Sequence, residues 1–489
     1  MSDSSGSPRG TLASFSCESR VAGVIAIPTS KSIAQRAVVA ALLARGTTRI
    51  EGLPPSDDVL HAIRSARAAG AAFPSASRPD DLLETALVGR RGFGQLTGAP
   101  LMRSRDGVTE GARPWCTLPV GESGTAARLF TAAVALARPA GSGAEVVPSG
   151  SLVRRTSPAL FEALRRAGVG VERSHQDQTG SWPVLLTAAA PPDIIDLAGP
   201  GSSQEVSALL MALAAHSEQH QLRVIGPIPS RGYVDITIDV LTRFGAFVRS
   251  SPLGSDDASN AGETFIVQGP LVAPEAGFVV EPDASSAAVA LAASALSGGG
   301  EVRVEGLGLH SRQPDVAIVR ALAEFGCDTT ASGQESLVCS GEPTRGASID
   351  CSLIPDAAPV LAAVGAFVAL RGFGRTKLTG LETLPGKESS RIEVLAAGLR
   401  AVGLSVDHDD RSLTIHQSTT EPAPRRQPIV LDACGDHRMA FAFALLSLCI
   451  DEVWVSGARS VAKSWPDFWS SLTRSGAILR PDSKAPHHP

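Results

Sequence analysis

At 489 residues the chain is long enough for two or three domains, and a composition of 43% hydrophobic and 19% charged residues excludes a disordered or low-complexity protein. Aromatic residues make up only 4%, with a single tyrosine, Tyr233. The 44 basic and 49 acidic residues give a net charge of −5, which leaves neither a base-stacking nucleic-acid surface nor a polybasic membrane patch. Seven cysteines, an odd number with no CxxC pair, suggest neither a disulfide framework nor a zinc site, so no metal is expected and a reducing cytoplasm is the expected compartment.

In chain order, two helical patterns alternate. The N-terminal MSDSSGSPRGTLASFSCESR lacks an apolar segment and does not read as a secretory signal. A small polar cluster near residue 30 then opens a very apolar Ala/Leu/Val helix and a β-branched run. An amphipathic helix follows over 61–73, ending at Gly70. Residues 74–116, rich in Pro, Gly, Ser and Arg, read as a loop or insertion with weak strand signals. The apolar helix recurs with openings near 123, 202, 283, 355 and 436. The amphipathic helix recurs over 160–171, 239–248, 318–329, 394–406 and 468–479, ending at Gly168, Gly245, Gly326, Gly403 and Gly476. Residues 250–263 and 417–428 read as surface loops. No run of about 18 apolar residues occurs, so no membrane span is expected. Six units of roughly 80 residues fill the chain. Each would hold one helix covered on every face and one that covers a sheet, so three units per domain give two similar α/β domains.

The helix openings carry the first chemical signal. A helix N-terminus presents unpaired N–H groups and partial positive charge, and so attracts anions. TSKS (29–32) with Arg36, GESGTAAR (121–128) with Arg128, GSSQ (201–204) and DHR (436–438) with Arg438 add hydroxyls, an amide and cations to such ends. Taken one at a time these are ordinary N-caps; their recurrence points to multiply charged anions such as phosphates and carboxylates. In LPGKESSR (384–391), Lys387 and Arg391 would share one helix face, which is unfavourable unless an anion sits between them, and Glu388 beside them could act as an acid or base. Asp356, in IPDAAP, reads locally as an N-cap. Lys463 reads alone as a solvated lysine, and His216 and His220 as a surface pair. GLETLPGKES misses the spacing of a P-loop, GESGT misses the nucleophile elbow, and no strand–GxGxxG–helix opening exists, so no dinucleotide cofactor is expected.

As an ordered set, PTSKSIAQRA, SDD (56–58), GESGTAAR, GSSQEVSALLMA, PSRGYVDITIDVLTRFG, EPDASSA, QPD (313–315), IPDAA, GKESSR, GDHRMA and AKSWPDF resemble the enolpyruvylshikimate-phosphate synthase family of enolpyruvyl transferases, over about residues 22–475. The resemblance implies two domains of three βαβαββ-type units each, 29–281 and 1–28 with 282–489, with the active site in the cleft between them. It implies transfer of the enolpyruvyl group of phosphoenolpyruvate to the 5-hydroxyl of shikimate 3-phosphate, with no metal or organic cofactor, by a monomer in the shikimate pathway of aromatic amino-acid biosynthesis. It places Lys31 against both substrates. It places Ser32, Arg36, Ser202, Ser203, Gln204, Ser230, Asp356 and Lys387, with Tyr233 nearby, against shikimate 3-phosphate. Gly124, Arg155, Gln204, Arg391, Arg438 and Lys463 fall against phosphoenolpyruvate, with Arg128 lining the same region. Asp356 takes the position of the proton acceptor from the hydroxyl, and Glu388 that of the proton donor to the methylene carbon.

The chain departs from the family pattern at Glu122 (usually Asn), Gly435 (commonly Asn), Ser390 (usually Asp) and Thr383 (often Asn), and these departures bear on which acceptor it takes. A second reading is an enolpyruvyl transferase for another acceptor, such as a nucleotide sugar or secondary metabolite. Its mobile-loop cysteine would have to be Cys116. A third reading, a non-catalytic anion-binding relative, would be expected to lose Lys31, Asp356 or Glu388, and all three are present.

Overall fold

The computed structural model describes residues 12–72, 93–97, 115–173, 180–253, 262–332, 335–418, 427–481 and 485–486. The chain divides into two compact units, Thr29–Glu281 and Met1–Pro28 with Pro282–Pro489. The first holds α1 (Lys31–Leu43), α2 (Asp57–Ala68), α3 (Gly124–Leu136), α4 (Pro158–Arg166), α5 (Ser203–Leu213) and α6 (Gly232–Arg243). The second holds α7 (Ala284–Leu296), α8 (Ile318–Glu324), α9 (Ala358–Leu370), α10 (Arg391–Ala401), α11 (His437–Cys449) and α12 (Phe468–Arg474).

The odd-numbered helices are the Ala-rich ones. Alanine is the best helix former and its small side chain lets helices approach closely on every side. α7 is buried along its whole length, and in α9 and α11 only the last residue is not. In α1, α3 and α5 the residues left partly open are Lys31, Ser32, Thr125 and Gln204, all in first turns. Five of these six helices start on a side-chain cap: Ser30 accepts from Ile33 N, Ser123 from Ala126 N, Ser202 from Gln204 N, Asp283 from Ser286 N and Asp436 from Arg438 N. The sixth, α9, starts from the 3-10 turn Pro355–Ala357 with no such cap. The amphipathic even-numbered helices end where expected: Gly70, Gly168, Gly245, Gly326, Gly403 and Gly476 all have φ between 84° and 111°.

Each unit carries three sheets built on one plan. In Trp115–Gly121, Gly143–Pro148, Gly170–Arg173 and Val184–Thr187 the first two strands are parallel, with Leu118 opposite Val146 across the crossover helix α3. The last two form an antiparallel pair whose second member returns to the second strand, Val146 facing Val184. Three sheets borrow a strand from a distant segment of a unit's sequence. Phe278–Val279 pairs in parallel with Thr47–Glu51, and Leu12–Ala13 pairs with Val453–Ser456. Gly23–Val24 likewise completes the sheet of Val302–Glu305. Each unit has its own continuous apolar core.

Two of the three loop expectations change. Phe93–Thr97, inside the stretch that reads as a loop over 74–116, is a strand on Thr47–Glu51, and Trp115 and Cys116 open another. The remainder of that stretch, 74–92 and 98–114, lies outside the described residues. The loop expected over 250–263 is entered and left by strands Phe247–Pro252 and Gly262–Gln268, with 254–261 outside the described residues, as are 419–426. Among the described residues no helix is long and apolar enough to cross a membrane.

Candidate active site

In the unit 29–281 the first turns of α1, α3 and α5 are stitched together by side chains. Gln35 donates to Ser123 Oγ at 2.8 Å, Arg128 to Gln204 Oε1 at 2.9 Å, and Gln204 Nε2 to Thr125 Oγ1 at 2.9 Å. Three helix N-termini therefore point into one place, as an anion site requires. Two buried guanidiniums serve it. Arg36 donates to Thr237 Oγ1 at 2.7 Å, to the Ser32 carbonyl at 2.8 Å, and to Ser207 Oγ and the Tyr233 carbonyl at 3.4 Å. Arg128 also donates to Ser157 Oγ at 2.6 Å and the Thr156 carbonyl at 3.0 Å. Among the described residues no carboxylate lies within ion-pair distance of either. Burial pushes both down to about 10, and for Arg128 the like charge of Arg155 adds to it while Glu205 opposes it. A buried cation bonded only to neutral groups is stabilised by an arriving anion.

Gly124 keeps open the space beside these guanidiniums. A Cβ there would meet Arg128 Nη1 at 2.8 Å and both Arg155 terminal nitrogens at 3.0 Å, so only glycine leaves the two guanidiniums where they stand. The other candidates fall around this group. Lys31 pairs with Asp58 of the SDD motif at 2.9 Å. Ser202 caps α5, and Ser203 is buried in its first turn with no bond from its hydroxyl to another candidate among the described residues. Ser230 takes φ 54°, an uncommon conformation for serine, three residues before Tyr233, whose carbonyl accepts from Arg36.

The second unit gathers its candidates around two carboxylates. Asp356 Oδ1 lies 2.9 Å from Arg391 Nη1 and 3.3 Å from Lys387 Nζ, and its Oδ2 lies 3.7 Å from Arg438 Nη2. Burial would raise the Asp356 carboxyl, but Lys387, Arg438 and Arg391 outweigh it and hold it well below the usual carboxylate range. Glu388 Oε2 lies 3.1 Å from His437 Nδ1 and 3.5 Å from Lys463 Nζ. Burial is again overcome, by His437, Lys463 and Arg391, and the group is also held well below its ordinary value. Asp436, completely buried, takes Arg391 Nε at 2.8 Å and Nη2 at 3.2 Å while capping α11. Arg438 is buried, and its Nε finds no hydrogen-bond partner among the described residues. Asp283 and Asp315 add to Asp356 in holding its charge.

Several local readings change here. Asp356 is no N-cap; it is the counter-ion of three cations. Lys387 stands in the turn before α10, which begins at Arg391, so the two do not share a helix face. The anion expected between them is the Asp356 carboxylate. Lys463 is not solvated, since it donates to the Gly435 carbonyl at 3.0 Å. Sequence reasoning gives no role to Asp58, Asp436 or His437. All three lie inside the family motifs, but an acid or histidine beside an arginine carries no local mark of its partner.

Two of the four departures, Gly435 and Glu122, find local reasons, and nothing in the structure explains Ser390 or Thr383. Gly435 has φ 68°, and the space where a Cβ would stand is open. This left-handed conformation is one that Gly and Asn both take, so the exchange keeps the turn. Glu122 accepts from the Ser151 hydroxyl at 3.1 Å and its N–H at 3.4 Å, at the start of the 3-10 turn Gly150–Arg154. Thr383 Oγ1 is buried without a partner among the described residues. Cys116 accepts from Arg138 at 2.6 Å, and burial pushes its thiol up, the wrong direction for a reactive cysteine.

A family model for EPSP synthase (3-phosphoshikimate 1-carboxyvinyltransferase) matches residues 16–89 and 101–472. The chain belongs to the EPSP synthase family. It is similar to the 3-phosphoshikimate 1-carboxyvinyltransferase of Mannheimia haemolytica, 30% identical over 461 residues covering 93% of this chain and 97% of that one. It is 32% identical to that of Sulfurovum sp. over 454 residues, 92% of this chain and 96% of the other. Among solved structures, an EPSP synthase from Acinetobacter baumannii superposes with a TM-score of 0.71 at 22% identity, covering 96% of this chain and 99% of the other. The enolpyruvyl transferase NikO from Streptomyces tendae superposes with 0.64 at 19% identity, over 96% and 98%. At those identities the superpositions speak for the α/β fold of the EPSP synthase family alone.

Proposed function

We propose that this chain transfers the enolpyruvyl group of phosphoenolpyruvate to the 5-hydroxyl of shikimate 3-phosphate and releases phosphate, the step in aromatic amino-acid biosynthesis named by its relatives. The observation that carries this reading is the pair of partly buried carboxylates, Asp356 held ionised by Lys387 and Arg438 and Glu388 by His437 and Lys463, with Arg391 serving both, within a member of that family. A further support is the anion-seeking set Arg36, Arg128, Arg155 and Gly124 at three helix starts.

In this proposal Lys31, Ser32, Arg36, Ser202, Ser203, Gln204, Ser230, Asp356 and Lys387 hold shikimate 3-phosphate. Lys31, Gly124, Arg155, Gln204, Arg391, Arg438 and Lys463 hold phosphoenolpyruvate. The hydroxyl oxygen attacks C2 of phosphoenolpyruvate, Asp356 takes the hydroxyl proton, and C3 gains a proton from Glu388. The tetrahedral intermediate then loses phosphate as the C2–O bond to it breaks and C3 gives back a proton. Glu388 starts ionised, so it has to be loaded first. A substrate phosphate and carboxylate arriving beside it supply the like charge that raises its affinity for a proton. Action as a monomer in the cytoplasm belongs to the same proposal.

The test is phosphate release from phosphoenolpyruvate with shikimate 3-phosphate or with a UDP-sugar as acceptor. Turnover with the first and none with the second is expected. The reverse would move the chain to an enolpyruvyl transferase of another acceptor, and turnover with neither would leave an anion-binding relative.

A further inference from the structure

HSEQH (216–220) reads as surface in the sequence, and the structure corrects this: His220 is only 5% exposed and His216 is half-buried. The segment runs from the end of α5 through a bend at 216–218 into the strand Gln219–Ile225, and this bend brings His216, Glu218 and His220 together. One ligand atom from each of the three lies within 4.8 Å of the other two, and the imidazole rings meet edge to face with centroids 5.4 Å apart.

Each ring has one nitrogen already committed. His216 Nε2 lies 2.9 Å from the Leu136 carbonyl and His220 Nδ1 lies 3.0 Å from the Pro192 carbonyl. A carbonyl can only accept, so each of these nitrogens carries the hydrogen, and His216 Nδ1 and His220 Nε2 are left as lone pairs. His220 Nε2 is buried and finds no hydrogen-bond partner among the described residues. A buried lone pair facing nothing is unfavourable, and a second imidazole and a carboxylate lie beside it. A histidine anchored through its other nitrogen to a carbonyl is also the arrangement that orients metal ligands. The place favours a cation: Leu136 is the last residue of α3 and Ala214 ends α5, so two helix C-termini bring their negative ends here. The His216 carbonyl accepts from Gly269 N at 2.9 Å, which holds the loop in position.

We propose that His216 Nδ1, His220 Nε2 and a Glu218 carboxylate oxygen bind a divalent transition-metal ion of the zinc type. Two imidazoles and one carboxylate suit Zn²⁺ or Co²⁺ and leave a fourth position for water. Glu218 is exposed and gives the ion its way in. The 13-residue α3 starts at Gly124 and ends at Leu136, which puts the ion roughly 18 Å from the candidate anion site at 1.5 Å per residue, so it acts as a clip on the fold and not in the chemistry.

The probe is Co²⁺, titrated into metal-free full-length protein in which His487 and His488, an adjacent pair able to bind metal on their own, are replaced by alanine. We expect one equivalent taken up with visible d–d absorption, displaced by Zn²⁺, and Zn²⁺ raising the melting temperature. His220→Gln should abolish uptake. Glu218→Gln, at an exposed position that leaves folding intact, should weaken it about tenfold or more, with phosphate release from phosphoenolpyruvate unchanged. Absence of saturable uptake in the parent, or uptake unaltered by Glu218→Gln, overturns the assignment.

Discussion

Asp356 and Glu388 are both depressed carboxylates, yet they hold different partners, and this separates their tests. Asp356→Asn and Glu388→Gln keep shape and remove charge, so substrate affinity should change by about tenfold or less while turnover falls about a hundredfold or more. Loss of Glu388 should also suppress exchange of solvent deuterium into the methylene of phosphoenolpyruvate. Normal turnover with intact exchange in a folded Glu388→Gln protein would reduce that residue to a counter-ion of His437 and Lys463. The same groups set the acid limit of stability. Their folded values lie below the unfolded ones near 4, so their contribution is complete above the ordinary carboxylate range and is lost as pH falls through the depressed values. Unfolding followed against pH should show Asp356→Asn with a shallower acid slope than the parent. Gly124→Ala belongs to this scale too. Its Cβ must displace Arg128 or Arg155, so the KM for phosphoenolpyruvate should rise about tenfold or more with the fold intact, as read from steady-state kinetics and melting.

Helices in this protein are placed by their ends. Capping residues start five of the six inner helices and a left-handed glycine follows each outer one, so the element boundaries were legible in the sequence. The exception is instructive: spacing alone puts Lys387 on a helix, but the helix waits until Arg391, where the side chain is held by Asp436 from α11. Where α10 lies on α11, contact is set by a missing side chain. A Cβ on Gly398 would stand 2.7 Å from the ring of Phe443, with no room in a buried helix pair. Gly398→Ala adds helix propensity, yet overpacking should win and destabilise the protein by about 1–3 kcal/mol. A melting temperature at or above that of the parent would show that Phe443 can turn aside.

At the scale of the whole molecule, the chain crosses between two units that have separate cores, and one of them is discontinuous. Residues 12–15 are buried in that unit's interior. Phe15 is fully buried with ring centroids 4.9 Å from Trp469 and 6.1 Å from Phe468, and Ser16 N donates to the Ile478 carbonyl at 2.8 Å. Phe15→Ala should cost about 3–5 kcal/mol in that unit. Scanning calorimetry should therefore show two transitions in the parent, with one lowered on the order of 10 °C in the variant and the other unmoved. Both moving together would mean that the units melt as one.

The sequence by itself determined the α/β class, six inner helices, four of them with anion-seeking starts, and the ordered motifs that mark the family. Each of these is written in residues a few positions apart, where capping, periodicity and composition act. Tertiary structure alone decided the partners. It closed three sheets with strands from distant segments, Leu12–Ala13, Gly23–Val24 and Phe278–Val279. It set Asp436 against Arg391 and Asp58 against Lys31, made Asp356 the counter-ion of three cations where its local sequence reads as an N-cap, and buried one histidine and half-buried the other of a pair that looked solvated. The physical reason is common to all of them: a charge or a strand edge is satisfied by whatever the fold brings to it. That partner can stand tens or hundreds of residues away, beyond any local pattern.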